Sequence, residues 1–309
     1  MNFHAVNGKL NAFSTTGKYR MKHFDYLCVG SISEALEIKH QHGTDAVFLA
    51  GGTDILLLAK KGIISPRLVI SLRNIEELRG IRQTENKLVI GSGTTLRTLE
   101  KSKLIADCFP ALHDAVSRMA SVQIRNVATL GGNIINASPG ADCAAPLLIY
   151  RAMVTLVNRQ GKERSVPLKR FFTGFKRIDL KPDEIVKEFI IEIPPTGAGS
   201  AYLKLMKRQA MDLAHVGVGV YLSFGDNGHC EQALIGLATV APTPIRAEPA
   251  EKYLQGRVID QDSLSAAAEI AVGSISPIDD FRGRAWHKTE IVKTYIRRAG
   301  MLALSRSEN

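Results

Sequence analysis

Two Gly-Gly stretches contain the residues of this chain whose types and spacing best suit the binding of an anionic ligand. The first, AVFLAGGTDILL, covers residues 46–57, and the second, QIRNVATLGGNIINASPGADCAAP, covers residues 123–146. The second combines Gly-Gly, Asn, Pro-Gly and Asp between helix-like sequences, so we interpret it as a loop of fixed shape with accessible backbone. The two Gly-Gly pairs are about eighty positions apart, and we expect them to form two walls of one site.

A pyrophosphate is the ligand chemistry that this pattern favours. Backbone N–H groups at glycine turns can solvate its two negative charges without side-chain interference, and Thr129 and Asn133 can add side-chain hydrogen bonds. Asp142 lies nine positions beyond Asn133, where a carboxylate can accept from a ribose hydroxyl or an adenine amine. The alternative for Asp142 is a cap for a helix that begins at Ala144. The GGTD sequence alone also occurs in many simple tight turns.

The predicted elements place both stretches at the ends of regular structure. Residues 46–50 predict a buried strand, and residues 54–61 predict a helix that Thr53 or Asp54 can cap. A capping-box pattern predicts another helix over residues 31–42. Gly91-x-Gly93 is too short for a dinucleotide fingerprint. Other strands are predicted at 68–72, 87–93, 153–158 and 183–194, and other helices at 95–102, 110–120 and 144–152.

The last third of the chain has a different pattern of apolar residues. TGAGS at 196–200 predicts a flexible joint. The segments YLKLMKR and HVGVGVYLSF are alternating or continuously apolar, as strands are, and helices are predicted at 247–255, 263–272 and 284–304. This order predicts a small antiparallel sheet backed by helices, and the chain as a whole is predicted to be α+β.

Length and composition fit a soluble globular protein of two or three subdomains. The chain has 309 residues, of which 45% are hydrophobic and 23% charged. Its apolar runs fall short of the ~18 residues that a membrane span needs, and its N-terminus lacks the apolar region of a secretory signal. We therefore expect a cytoplasmic protein, with residues 1–20 as a flexible N-terminal arm.

The distribution of charge, Cys and His argues against nucleic-acid binding, metal binding and triad catalysis. The net charge of +10 is scattered and only 6% of residues are aromatic, which disfavours nucleic-acid binding. The four Cys lie far apart, so we expect free thiols and no zinc or iron–sulfur site. The eight His show no metal-ligand spacing, and no Ser-His-Asp arrangement is apparent. We assign no catalytic side chain and no metal to this chain.

Five separated motifs, in order, resemble the FAD-binding (medium) subunit of molybdenum hydroxylases. They are LAGGTDIL, GSGTTLRTLE, QIRNVATLGGNI with ASPGAD, DEIV with IEIP, and YLKLMKRQAMDLAHVGV. This family includes subunits of xanthine dehydrogenases, carbon monoxide dehydrogenase and aryl or acyl-CoA oxidoreductases. The resemblance implies a two-subdomain FAD-binding domain of the vanillyl-alcohol-oxidase (PCMH-like) type over 21–196, divided near residue 75. A carbon-monoxide-dehydrogenase-flavoprotein-like domain would follow over 200–305.

The resemblance also implies contacts to FAD along these motifs. The first loop would hold the pyrophosphate through Phe48, Leu49, Ala50, Gly51, Gly52, Thr53, Asp54 and Ile55. The second would hold the phosphates and the ribityl region through Thr129, Leu130, Gly131, Gly132 and Asn133. Met119 and Asp142 match FAD-site positions, and Ile185 or Val186 would touch the ring system through the backbone.

Lys204 matches a flavin-side lysine of the family. A cation there would stabilise a reduced flavin that has lost its N1 proton and would raise the reduction potential. The alternative is a surface lysine on an edge strand.

The resemblance implies a role within a complex. FAD would be bound non-covalently and would carry electrons between partner [2Fe–2S] clusters and NAD or another acceptor. A large subunit would hold molybdopterin and a small one the clusters, in a dimer of heterotrimers. GGNIINASPGADC has no insertion, so we expect no cluster on this chain. Two alternatives stay open: a stand-alone FAD-dependent oxidase or dehydrogenase, and a non-enzymatic nucleotide-binding module.

Overall fold

The computed structural model describes residues 21–208 and 211–308, which form three sheets and a small hairpin with helices packed around them. The expected N-terminal arm, residues 1–20, lies outside the described residues. The α+β class, with an antiparallel sheet in the last third, is confirmed.

The first sheet is parallel and has the strand order β1–β3–β2. Its elements are β1 Asp25–Cys28, α1 Ile32–His42, β2 Ala46–Leu49, α2 Ile55–Lys60 and β3 Leu68–Ser71, with 3-10 turns at Gly43–Asp45 and Glu76–Leu78. Ser31 caps α1 by accepting from the Glu34 N–H, as its sequence pattern predicts. The Glu34 carboxylate accepts from the N–H of Gly30, one residue before the position that a capping box uses.

The second sheet is antiparallel and has the order β4–β5–β10–β6–β7. Its strands are β4 Ile81–Thr84, β5 Lys87–Gly91, β6 Met153–Asn158, β7 Glu163–Pro167 and β10 Glu184–Glu192, and a hairpin of β8 Phe172–Gly174 and β9 Arg177–Ile178 precedes β10. The helices are α3 Leu96–Lys101, α4 Lys103–Cys108, α5 Pro110–Ser117, α6 Val122–Arg125, α7 Leu130–Ile135, α8 Ala144–Ile149 and α9 Leu168–Phe171. These helices and the sheet share one large apolar core.

The third sheet is antiparallel, in the order β11–β12–β13–β14. Its elements are β11 Gly199–Leu205, β12 Val216–Phe224, β13 Cys230–Ala238, β14 Ile245–Arg246, α10 Glu248–Leu254, α11 Gln261–Val272 and α12 Ala285–Ser307. A second apolar core fills the space between this sheet and its helices. Tyr202 and Tyr221 belong instead to the core of the preceding unit, so the two units are packed together.

The second Gly-Gly stretch is helical where we expected a loop. Residues Val122–Arg125 and Leu130–Ile135 form α6 and α7, and Gly131 and Gly132 lie in the first turn of α7. Thr129 supplies the cap by accepting from the Gly132 N–H at 3.0 Å. The side-chain cap supplies a start signal that outweighs the low helix propensity of two glycines.

Helix α12 lies against the edge strand β11 with almost no space between their backbones. A Cβ atom at Gly199 would lie 1.9 Å from the Ala303 carbonyl oxygen and 2.8 Å from the Ser307 nitrogen. The Arg306 guanidinium on the same helix binds the Asp114 carboxylate of α5 at 2.7 and 3.1 Å. The C-terminal helix therefore joins the last sheet to the helical layer that surrounds the candidate site.

Replacing Gly199 by Ala is expected to lower the free energy of unfolding by about 1–3 kcal/mol, because the added methyl group must displace α12 or β11. The matched control is Gly30→Ala, where the nearest atom to the new Cβ lies 4.0 Å away. Urea unfolding of the three proteins measures the effect. Equal stability of the two variants would contradict this account of the packing.

Candidate cofactor-binding site

A cavity of about 480 Å³ lies where the first Gly-Gly loop, helix α7 and strand β10 meet. Most of the FAD-contact residues inferred from the sequence lie on its wall: Phe48, Ala50, Gly51, Gly52, Thr53, Asp54, Ile55, Met119, Thr129, Gly131, Gly132, Asn133, Asp142, Ile185 and Val186. Leu49, Leu130 and Lys204 are not among its lining residues. Leu130 is fully buried in the core of the helical layer.

The first Gly-Gly loop offers free hydrogen-bond donors to this cavity. Within the described residues, the backbone N–H groups of Gly51, Gly52, Thr53 and Asp54 find no acceptor in the protein. Gly52 has a φ of +79°, which strongly favours glycine. Unpaired N–H groups beside a helix start form an environment that suits phosphate oxygens. The donor set of this loop thus fits a pyrophosphate.

The second Gly-Gly pair differs from the first in its backbone donors. Its backbone N–H groups are already bound within the chain: Leu130 to Thr94 O at 3.0 Å, Gly131 to Ser92 O at 2.8 Å, Gly132 to Thr129 Oγ1 at 3.0 Å and Asn133 to Thr129 O at 3.0 Å. Asn133 is occupied as well, since its side-chain oxygen accepts from the Cys143 N–H at 3.3 Å. Gly131, Gly132 and Asn133 line the cavity, while their backbone donors are used within the fold.

Direct contacts hold the two Gly-Gly stretches together. A Cβ at Gly51 would lie 2.2 Å from the Val127 carbonyl oxygen, so only glycine allows this approach. Asn136, at the end of α7, donates to the Asp54 carboxylate at 3.0 Å, and Lys176 donates to the Asn136 carbonyl at 2.9 Å. Burial raises the pKa of Asp54, while the Lys176 charge and the Asn136 hydrogen bond oppose that rise.

Asp142 is buried and accepts two side-chain hydrogen bonds from β11. The Tyr202 hydroxyl donates to Oδ1 at 3.1 Å and the Lys204 ammonium to Oδ2 at 2.9 Å. The alternative role as a helix cap is wrong, because α8 begins after Cys143 and has no side-chain cap. Burial raises the pKa of Asp142, and the two donors oppose that rise.

Lys204 lies on the edge strand β11, but the alternative of a surface lysine is wrong. Its side chain is 0% exposed, and besides Asp142 it donates to the Asp212 carbonyl at 2.9 Å. Because Lys204 and Asp142 form one ion pair, they cannot mark opposite ends of an extended dinucleotide. Asp142 lies on the cavity wall, and Lys204 binds it from outside the lining.

Sequence reasoning missed several residues on the cavity wall. They include Ser92, Asn136, Glu184, Met211 and Leu213. Ser92 lies in GSGTT, whose glycine spacing is too short for a dinucleotide fingerprint and gives no sign of a wall position. Glu184 is held by Arg164 at 2.7 and 2.8 Å. The Asp54–Asn136 and Asp142–Tyr202 contacts join residues 82 and 60 positions apart, and no local pattern indicates such pairs.

Two further findings concern metal binding and membrane spans. Among the described residues, no three His, Cys, Asp or Glu side chains converge in a way that could hold a metal ion. In the same part of the chain, no helix is long and apolar enough to cross a bilayer.

Comparison with known proteins agrees with the fold. Residues 22–196 match the family model described as FAD binding domain in molybdopterin dehydrogenase, and residues 201–302 match the CO dehydrogenase flavoprotein C-terminal domain. The chain therefore belongs to the FAD-binding subunits of the molybdenum hydroxylase family, as its motifs suggested. It is an oxidoreductase subunit, and the two-part fold inferred from the resemblance is confirmed.

Particular relatives are similar over most of their length. The carbon monoxide dehydrogenase medium chain of Afipia carboxidovorans is 35% identical over 93% of this chain and 98% of its own. A putative xanthine dehydrogenase FAD-binding subunit of Escherichia coli K12 is 36% identical over 81% of this chain and 85% of its own. A structure of carbon monoxide dehydrogenase from Hydrogenophaga pseudoflava superposes with a TM-score of 0.89 at 33% identity, covering 93% and 99% of the two chains.

Replacing Lys204 by Met is expected to destabilise the protein in a pH-dependent way. It leaves the Asp142 carboxylate buried without its cation, which costs about 3–5 kcal/mol when one partner of a buried pair is removed. Burial then raises the folded-state pKa of Asp142 above its unfolded value. Stability is therefore closest to wild type at low pH and is lost as pH rises through that folded-state pKa.

Urea unfolding between pH 5 and pH 8 measures this effect. The matched control is the double variant Asp142→Asn with Lys204→Met, in which no charge is buried and the pH dependence should largely disappear. A pH-independent loss in the single variant would contradict the role given to the ion pair.

Proposed function

We propose that this chain is the electron-transfer flavoprotein of a multi-subunit molybdenum-containing hydroxylase or dehydrogenase. It would pass electrons between partner iron–sulfur clusters and NAD or another acceptor. The observation that carries the proposal is the row of unpaired N–H groups from Gly51 to Asp54, four residues that line a cavity in a chain of this family. When bound, FAD supplies the redox chemistry.

The inferred contact residues divide into three groups around that cofactor. Phe48 to Ile55 would hold the pyrophosphate, chiefly through the backbone. Thr129 to Asn133 and Met119 would form the opposite wall. Ile185 and Val186 would present backbone to the ring system, next to an irregularity in β10 where its pairing with β6 changes register between Val186 and Glu188.

Lys204 would act on FAD through Asp142. Its side chain is fully buried and donates to that carboxylate. The cofactor would therefore meet the Asp142 carboxylate, with the Lys204 charge directly behind it. The positive charge would still favour extra negative charge on the nearby part of a bound flavin.

The names of the relatives support an assembly with other chains. Two of them are called the medium chain of carbon monoxide dehydrogenase. We propose a large partner that binds molybdopterin and a small partner with [2Fe–2S] clusters, assembled as a dimer of heterotrimers in the cytoplasm. Within this chain we propose 21–75 and 76–196 as the FAD-binding subdomains and 200–305 as the C-terminal domain.

The runner-up is a stand-alone FAD-dependent oxidase or dehydrogenase. That class often attaches its flavin covalently to His or Cys. Cys143, the cysteine nearest to the second Gly-Gly pair in sequence, is fully buried, and burial raises the pKa of its thiol far above the usual value. A thiol of this kind is a poor nucleophile, which favours a non-covalent cofactor.

Purified protein is expected to be yellow and to release intact FAD on denaturation, with about one FAD per chain. Replacing Gly51 by Ala should abolish most of this binding, because the methyl group would separate the donor loop from residues 127–128. Absorbance of the supernatant after heat treatment measures the released flavin. Gly30→Ala serves as the matched control and should bind normally.

A complex reconstituted with both partners separates the two functions. Flavin reduction by the complex's substrate only when both partners are present supports the electron-transfer subunit. Turnover of a small molecule with oxygen by the FAD-loaded chain alone would favour the stand-alone enzyme, and a colourless chain without FAD affinity would overturn both.

A further inference from the structure

A single arginine binds both ends of the turn that joins β9 to β10. The turn covers residues 179–184, and we call it the 179–184 corner. The Arg164 guanidinium of β7 donates to the Glu184 carboxylate at 2.7 and 2.8 Å and to the Asp179 carboxylate at 2.9 Å. It also donates to the Asp179 carbonyl at 2.9 Å. All three nitrogen atoms of the guanidinium are therefore used to hold this corner.

The corner and the strand that follows it form part of the cavity wall. Leu180 and Glu184 line the cavity, and so do Ile185 and Val186, the next two residues of β10. Arg164 is not among the lining residues. It therefore acts on the wall from outside the cavity, through the residues that it binds.

The backbone of the corner makes few hydrogen bonds of its own. Pro182 has no N–H group, and within the described residues the N–H groups of Leu180 and Asp183 find no acceptor in the protein. The Lys181 N–H donates to the Glu184 carboxylate at 2.9 Å, and the Glu184 N–H donates to the Lys181 carbonyl at 3.1 Å. The shape of the corner thus depends on one carboxylate and on the arginine that binds it.

That carboxylate is a fixed part of the wall. Glu184 is 5% exposed, and both of its side-chain oxygens accept hydrogen bonds within the protein. Burial raises the pKa of its carboxyl, but the hydrogen bonds from Arg164 and the Lys181 N–H outweigh burial and lower that pKa below its usual value. Glu184 is therefore held ionised, with its oxygens occupied by the fold.

The planar shape of the guanidinium suits this task. It presents its N–H groups in a rigid fork, so one side chain can bind Glu184 and Asp179 in a fixed geometry. A lysine ammonium would keep the charge but not the fork. The Asp179 side chain is 43% exposed, so its ion pair alone contributes little to stability. The contact matters because it connects the two ends of the corner.

We propose that Arg164 is a positioning residue for the flavin ring, because it holds the 179–184 corner and thereby the start of β10. This inference rests on the proposed function, in which the backbone of Ile185 and Val186 touches the ring system and the first Gly-Gly loop holds the pyrophosphate. These two parts of the site belong to different elements. Loosening the corner should therefore weaken the contacts to the ring and leave the contacts to the phosphates unchanged.

The test compares two ligands of the full chain after its FAD has been removed. FAD has the pyrophosphate and the flavin ring, whereas ADP has the pyrophosphate without the ring. Arg164→Lys should weaken FAD binding about tenfold, and Arg164→Gln should weaken it further, while ADP affinity stays within about twofold of the wild type. Titration calorimetry measures both affinities.

The matched control is Arg246→Lys. Arg246 also binds a buried carboxylate through two nitrogen atoms, that of Glu251 in the C-terminal part of the chain. Neither residue lines the cavity. This control shows the effect of losing a guanidinium–carboxylate contact as such, and it should leave the affinities for FAD and ADP unchanged.

The absorption spectrum gives a second measurement. In FAD-loaded Arg164→Lys, the visible bands of the flavin should shift toward those of free FAD, because the ring is held less firmly. Parallel losses of FAD and ADP affinity, an unchanged FAD affinity, or weaker FAD binding with an unchanged spectrum would each overturn the proposal. If Arg164→Gln does not fold, Arg164→Lys decides.

The wild type separates this inference from the proposed function. A wild-type chain that binds no FAD refutes the proposed function. A wild-type chain that binds FAD, with variants that lose FAD and ADP equally, refutes only the positioning role of Arg164.

Discussion

The close approach of Gly51 to the backbone of residues 127–128 is the constraint on which the site depends. With no room for a Cβ, this contact joins a loop of the parallel sheet to the helical layer of the antiparallel one. Asp54 and Asn136 fix the same junction by a hydrogen bond at 3.0 Å. The residues of the loop with unpaired N–H groups line the cavity.

The C-terminal sheet contributes to the site without lining most of it. Tyr202 and Lys204 lie two positions apart on β11, point to the same face and bind the two oxygens of Asp142. Opposite Lys204, Gly217 leaves the space that the Tyr202 hydroxyl occupies, since a Cβ there would lie 2.5 Å from that oxygen. The buried Asp142 carboxylate thus links the FAD-binding part of the chain to the C-terminal sheet.

Much of this architecture can be predicted from the sequence. The features that cannot be predicted depend on contacts between segments far apart in the chain. Strand β2, the Gly turn and α2 follow from an apolar run broken by glycines, and they lie within a residue or two of the expected bounds. Helix α7 was missed because its start depends on Thr129 and on Ser92, which approaches Gly131 from a distant loop. The burial of Lys204 was missed because its partners, Asp142 and the Asp212 carbonyl, come from other segments.

The exposure of Trp286 has a consequence for spectroscopy. Since it is the only tryptophan and lies at the surface, the intrinsic fluorescence of the folded chain reports on the start of α12 and is almost blind to the apolar cores. An emission-based melting curve would then follow local changes around that helix, whereas circular dichroism would follow the collapse of the three sheets. In a two-state transition the two signals coincide, so a disagreement between them would show that the region around the start of α12 opens separately from the sheets.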